Sequence, residues 1–121
     1  MPVILMYNLR GERGAHIRVI CLKLRLRVRE VRNEETGQPV GALAGLMSPR
    51  RDAAPEPFSD EMLVFVNFDR PLLDRFLQEL RAAHIPGVAL KAVLTPTNMH
   101  WSSGQLHAEI AREHEALRKK P

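Results

Sequence analysis

The chain is poor in the residues that most often announce a function. It has one cysteine in 121 residues, so no internal disulfide can form and a reducing, cytoplasmic setting is the simplest expectation. Aromatic residues make up 5% of it, which leaves few rings to stack on nucleic-acid bases. No apolar run approaches the roughly 20 residues that span a bilayer, so no membrane is expected as a partner. The apolar opening Met1-Pro2-Val3-Ile4-Leu5-Met6 has neither a basic start nor a small-residue cleavage site, and reads as a strand rather than a signal peptide. No Cys-x-x-Cys spacing, no His-x-x-x-His spacing and no glycine-rich phosphate loop occurs. Neither a metal nor a cofactor is therefore expected.

What is present is ordinary for a globular protein: 45% hydrophobic and 26% charged residues, enough for one domain over 1–121 with one core. The net charge of +4 is compatible with an acidic partner without requiring one. The densest basic set is Lys23, Arg25, Arg27, Arg29 and Arg32, followed at once by Glu34-Glu35.

Two stretches follow the same plan. Ile4-Leu5-Met6-Tyr7-Asn8-Leu9 precedes a helical stretch and then Leu26-Arg27-Val28-Arg29-Glu30-Val31. Leu63-Val64-Phe65-Val66-Asn67-Phe68 precedes a helical stretch and then Val88-Ala89-Leu90-Lys91-Ala92-Val93. Asn8 and Asn67 hold the same place, Ile17 falls opposite Phe76, and Cys21 opposite Leu80. This is an internal repeat of architecture. The first helix is predicted from about Glu12 to Arg25, with Ile17, Ile20, Cys21 and Leu24 at helical spacing. The second is predicted from about Pro71 to His84, with Asp69 as a candidate cap and Ile85-Pro86-Gly87 as a stop.

Strands are predicted at about 3–8, 26–31, 62–68 and 88–93. The first and third are apolar on both faces and so central. The second and fourth alternate with Arg27, Arg29 and Lys91 and so suit edges. Two β-α-β halves with their first strands central give an α+β, ferredoxin-like β-α-β-β-α-β core, its sheet antiparallel in the order 4-1-3-2. A parallel four-stranded sheet is the alternative. Pro39 to Leu46 is expected to add a short inter-half helix ended by Gly45. Residues 48–57, rich in proline and charge, are expected to be a mobile loop. Ser102 and Gln105 have the form of a capping box opening a C-terminal helix. Its stripe is Leu106, Ile110 and Leu117 with Ala111 beside it, and Lys119-Lys120-Pro121 suit its end.

Several segments resemble a known family. Glu61-Met62-Leu63-Val64, Ile85-Pro86, the run Leu90-Lys91-Ala92-Val93-Leu94-Thr95-Pro96-Thr97-Asn98, and Trp101 are similar to a small bacterial family catalogued as domain of unknown function 3783. Gln38-Pro39-Val40-Gly41 and Leu43-Ala44-Gly45 are similar to its middle segment, so the resemblance covers nearly the whole chain. It implies no activity.

The candidate chemistry is sparse. The ferredoxin-like fold hosts RNA-recognition motifs, but the aromatic of the first strand is out of place and Ser59-Asp60-Glu61 is acidic where a basic residue and glycine belong. Nucleic acid is accordingly disfavoured, and Arg25, Arg27 and Arg29 read as a solvated edge. Among five histidines, His107 and His114 lie two turns apart, roughly 10 Å by helical rise, too far to share one ion. Cys21 sits on an apolar stripe and reads as a buried thiol. Gly11 and Gly14 bracket a helix start, a weak signal alone.

The best candidate is the loop Thr95, Thr97, Asn98, His100 and Trp101, set between a strand and a helix N-terminus that could hold a ligand or anion. The structural reading of the same residues is a turn fixed by Thr97 and Asn98, with Trp101 stapling the helix to the sheet. The expected function is a small non-enzymatic binding or regulatory domain. A homodimer is one way to cover the second face of the sheet. The alternatives are a small-molecule enzyme using the Thr95–Trp101 loop and a nucleic-acid-binding domain.

Overall fold

The computed structural model describes residues 1–119. The chain runs β1 (Val3–Tyr7), α1 (Gly11–Lys23), β2 (Arg27–Val31), a 3-10 turn at Asn33–Glu35, α2 (Val40–Leu43), β3 (Met62–Val66), α3 (Arg70–Ala82), β4 (Leu90–Val93), a second 3-10 turn at Asn98–His100, and α4 (Ser103–Arg118). Lys120 and Pro121, part of the predicted helix end, lie outside the described residues.

All five residues of β1 and of β3 are buried, which is why both are apolar on both faces. On one face Ile4, Met6, Leu63 and Phe65 pack with Ile17, Ile20 and Cys21 of α1 and Phe76 and Leu80 of α3. On the other, Val3, Leu5, Tyr7, Met62, Val64 and Val66 pack with Val40 and Leu43 of α2 and Leu106 of α4, while Phe58, Trp101, Ile110 and Ala111 close the margin. The domain is thus three layers, with helices on both faces of one sheet. On this second face the apolar residues of β1, β3 and β4 are at most 8% exposed, while Arg27 and Arg29 of β2 carry its edge toward solvent. Leu117 departs from the predicted α4 stripe. It lies two turns past Ile110 and is 68% exposed, because the helix outlasts the surface beneath it.

The α+β class, the two β-α-β halves and the central places of β1 and β3 are as predicted. The strand order is not 4-1-3-2 but β2-β1-β3-β4. β2 lies beside β1 in parallel, from Val3 opposite Arg27 to Tyr7 opposite Val31. β4 lies beside β3 in parallel, from Met62 opposite Leu90 to Phe65 opposite Val93. Only the central pair is antiparallel, with Leu5 opposite Val64. The physical reason for the difference is plain. Both orders keep the same strands central and the same strands at the edge, so the alternation of apolar and charged residues is identical in each. What separates them is whether each crossover helix returns its chain beside its own first strand or one strand further over.

The two halves match in detail. β1 and β3 have five residues each, and α1 and α3 have thirteen. Asn8 and Asn67 follow their strands with φ of 61° and 60°, the left-handed region that asparagine tolerates. Both helices end in the same Schellman turn. After α1, Leu26 N–H donates to Cys21 O (2.8 Å) and Arg25 N–H to Leu22 O (3.1 Å); after α3, Ile85 N–H donates to Leu80 O and His84 N–H to Arg81 O, both at 3.0 Å. Arg25 and His84 take the left-handed position, at φ 59° and 57°. The halves diverge after that. Leu26 leads straight into β2, whereas Pro86 to Ala89 intervene before β4. Arg13 of α1 holds that extra segment, donating to Pro86 O (3.0 Å) and Gly87 O (2.8 Å) while pairing with Glu61.

The first part of the connection between the halves folds back on the segment that follows it. Gln38 exchanges two hydrogen bonds with the Arg50 backbone. Thr36 Oγ1 accepts from Glu56 N–H at 2.8 Å. Gly37 lies so close to Ala54 O that an added Cβ would meet it at 1.8 Å. α2 ends at Gly45, φ 81°, as expected for a left-handed stop.

Candidate functional site

The loop from Thr95 to Trp101 carries the predicted site residues. Thr95, Thr97 and His100 are exposed, and Asn98 and Trp101 are half-buried. The polar groups of the loop bond largely to the loop itself. Asn98 Oδ1 accepts from Thr95 N–H (2.8 Å), Thr95 Oγ1 accepts from Asn98 N–H (3.0 Å), and Asn98 Nδ2 donates to Val93 O (3.1 Å). This is a closed turn that consumes the Asn98 amide. Trp101 packs at the margin of the second core face, and its carbonyl accepts from Val40 N–H at 2.8 Å, joining the loop to α2.

The N-terminus of α4, the expected anion position, is furnished by the chain. Ser102 Oγ accepts from Gln105 N–H (3.1 Å) and donates to Glu56 Oε1 (2.7 Å). Gly104 N–H donates to Thr36 O at 3.2 Å. A carboxylate of the protein therefore already lies over the first turn, where the helix dipole favours one. Gly104 permits the approach: an added Cβ would stand 2.6 Å from Glu56 Oε1.

Below that turn lies a buried pair that sequence reasoning missed. The hydroxyls of Tyr7 and Ser103 share a 2.7 Å hydrogen bond, with Tyr7 1% and Ser103 0% exposed. Burial pushes the Tyr7 phenol up to about 12, opposed in part by the Ser103 hydrogen bond and by Arg29. Phe58 tilts against the Tyr7 ring and stacks on His107 with centroids 4.0 Å apart. His107 Nε2 meets Asp60 Oδ2 at 2.8 Å. No sequence motif links these residues, because they come from three elements far apart in the chain.

A second feature exists only because β1 and β2 are parallel neighbours. Their chains leave the sheet at the same end and diverge, one into α1 and one into the Asn33–Glu35 turn. Between them lies a cleft of about 440 Å³ lined by Asn8, Leu9, Arg10, Arg32, Asn33 and Glu34, among others. An adjoining hollow of about 490 Å³ shares Asn8, Arg10 and Asn33 and reaches Pro57 to Ser59. Asn8 fixes the wall, its Nδ2 donating to Phe58 O (2.7 Å) and Asp60 O (2.9 Å). Gly14 lets α1 settle against the loop, since a Cβ there would stand 2.6 Å from Leu9 O. α1 begins at this cleft with Arg10 as N-cap and no side-chain cap. At the matching place in the second half, Asp69 caps α3 by accepting from Leu72 N–H at 2.9 Å. Gly11 and Gly14 were the available sequence signal. The antiparallel order predicted for the strands has no such crevice, so the signal had no place to point.

The other candidates take structural places. Cys21 is fully buried, and burial pushes its thiol up to about 11, away from the reactive thiolate. Arg29 makes a two-point contact with Glu35, at 2.8 and 3.3 Å, on the outer edge of the sheet. That contact holds the Glu35 carboxyl below its ordinary value. Among the described residues no group of three or more His, Cys, Asp or Glu is placed to hold a metal ion. No described helix is long and apolar enough to cross a membrane.

Fold and cleft together define a class: a small α+β domain of two parallel β-α-β units joined through an antiparallel central pair of strands. Residues 61–117 match the family described as Domain of unknown function (DUF3783). The matched span runs from the entry to β3 through most of α4. It therefore holds the Leu90 to Trp101 residues that carried the resemblance, and not the Gln38 to Gly45 segment. No curated protein and no solved structure matches the chain.

Proposed function

We propose that the chain is a non-enzymatic binding domain whose ligand, a small polar molecule with an anionic end, lies in the cleft at the C-terminal ends of β1 and β2. The observation that supports this most is the cleft itself. Its volume of about 440 Å³ falls within the range of roughly 300–1,000 Å³ usual for small-ligand pockets. It also stands where ligands collect in sheets with parallel strands, outside their carboxyl ends. Arg10 and Arg32 supply positive charge beside the start of α1, and of the two carboxylates on the same lining, Glu30 and Glu34, Glu30 is already paired with Arg18.

Binding is favoured over catalysis because the groups whose acidity is shifted, Tyr7, Cys21, Arg29 and Glu35, are not among those lining this cleft. An enzyme working through Thr95–Trp101 is less favoured, because Asn98 is spent on its own turn. Base stacking on the sheet is disfavoured by the helices over both its faces. The single buried Cys21 suits a reducing cytoplasm. The equal lengths of β1 and β3 and of α1 and α3, with the shared left-handed positions, support reading the halves as copies of one unit.

The test is an amide chemical-shift titration with inorganic phosphate, pyrophosphate and short dicarboxylates. Saturable shifts are expected at Asn8 to Arg13 and Arg32 to Glu34, weakened in Arg10→Ala. Shifts confined to Thr95–Trp101, or no saturable response to any probe, would overturn the assignment.

A further inference from the structure

α1 is apolar on two sides. Its inner side, Ile17, Ile20 and Cys21, is buried in the core. Its outer side carries Val19, 63% exposed, and Leu22, 78% exposed, one turn apart. A surface helix ordinarily keeps its outer side polar, and Val19 and Leu22 interrupt the exposed Glu12, His16 and Lys23 there. α3, its neighbour in the same layer, leaves no large apolar side chain this exposed. Beside Val19 lies a hollow of about 280 Å³ between α1 and the end of α3, lined by His16, Val19, Ile20, Ala83 and Ile85. An apolar ridge and an apolar hollow thus share one face.

We propose that this face is the contact between two copies of the chain, with α1 packed antiparallel on α1 of the second copy. A two-fold axis brings the same patch to itself, so the ridge of each copy enters the hollow of the other. The charges choose the direction. Glu12 is in the first turn of α1, and the exposed Arg25 stands just past its other end, where Lys23 already pairs with Glu79 of α3. Antiparallel packing sets Glu12 of each copy against the basic end of the other and opposes the helix dipoles. Parallel packing would set like charges together. The patch is small beside the roughly 800 Å² per partner of a standard interface, so the dimer is a weak one.

Sedimentation and light scattering over a micromolar-to-millimolar series test it. The mass is expected to rise with concentration toward twice the 13.7 kDa of one chain. Leu22→Glu or Val19→Glu should weaken dimerisation by about tenfold or more, with the melting temperature of the dilute monomer kept, since both sites face solvent. Leu117→Glu, an equally exposed apolar site on α4, should change nothing. Glu12→Arg should weaken the dimer, and adding Arg25→Glu in the same chain should restore it. A mass of one chain throughout overturns the inference and leaves the face to a different partner. So does a dimer indifferent to Leu22→Glu, or one lost in Leu117→Glu. Failure of the double charge swap to restore association overturns the antiparallel arrangement.

Discussion

Tyr7→Phe removes one oxygen from the best-buried polar contact in the domain. The hydroxyl it loses sits 2.7 Å from Ser103 Oγ, and both residues are at most 1% exposed. The phenylalanine fills nearly the same space, so the cost is that of leaving Ser103 unsatisfied, about 1–3 kcal/mol. Ser103→Ala strands the tyrosine hydroxyl at a similar cost. Removing both leaves no orphan, and the double variant should lose no more than the worse single one. That is a coupling of about 1–2 kcal/mol, large against a total of roughly 5–15 kcal/mol for a domain.

The same pair carries a pH dependence. The unfolded phenol ionises near its ordinary 10, whereas the folded one holds its proton to about 12. Between those values the unfolded chain binds fewer protons than the folded one, so stability falls as pH rises. The contribution is fully present below pH 10, and its loss by pH 12 amounts to about 3 kcal/mol. Tyr7→Phe should lack this decline, while the other basic-range titrations continue in both proteins. Urea unfolding followed by circular dichroism from pH 7 to 12, on the parent and three variants, measures both effects. Additive single costs together with parallel alkaline profiles would refute the reasoning.

Trp101→Ala should destabilise by about 2–4 kcal/mol, since its ring closes the margin of the second core face. Asn98→Ala should cost nearer 1 kcal/mol as lost turn hydrogen bonds; thermal unfolding that reverses this order would sink the assignment of Trp101 as a structural staple. Glu35 contributes stability that is present above the ordinary carboxylate range and lost as pH falls through its lowered folded value, because its hydrogen bond to Arg29 favours the ionised form. Glu35→Gln should flatten the acid limb of the stability profile, and unchanged acid limbs would show that the Arg29 contact contributes nothing.

The main helices, strands and caps of this fold were legible in the residues, whereas its two 3-10 turns and its left-handed positions at Asn8, Arg25, Asn67 and His84 were not. Apolar runs on both faces marked β1 and β3 as central, and Arg27 and Lys91 marked their neighbours as edges. Ser102, Asp69 and Gly45 stand where the caps and stops were read, because capping depends only on side chains within a turn of the helix end. Pairing was different. Whether β2 lies beside β1 or beyond β3 changes no burial pattern, so only the packed crossover helices decided the order β2-β1-β3-β4. The cleft at Asn8, Arg10 and Arg32 followed from that decision, since it needs two parallel chains leaving the sheet together. The Tyr7–Ser103 contact joins residues 96 positions apart, and nothing in either local sequence announces the other. The Glu56 carboxylate over α4 is of the same kind: a side chain from a segment without helix or strand, brought by tertiary structure to the helix end it serves. The sequence alone decided which segments are helix, strand or cap, and which faces are apolar. The tertiary structure alone decided which edges meet, because strand pairing is chosen by how whole layers pack.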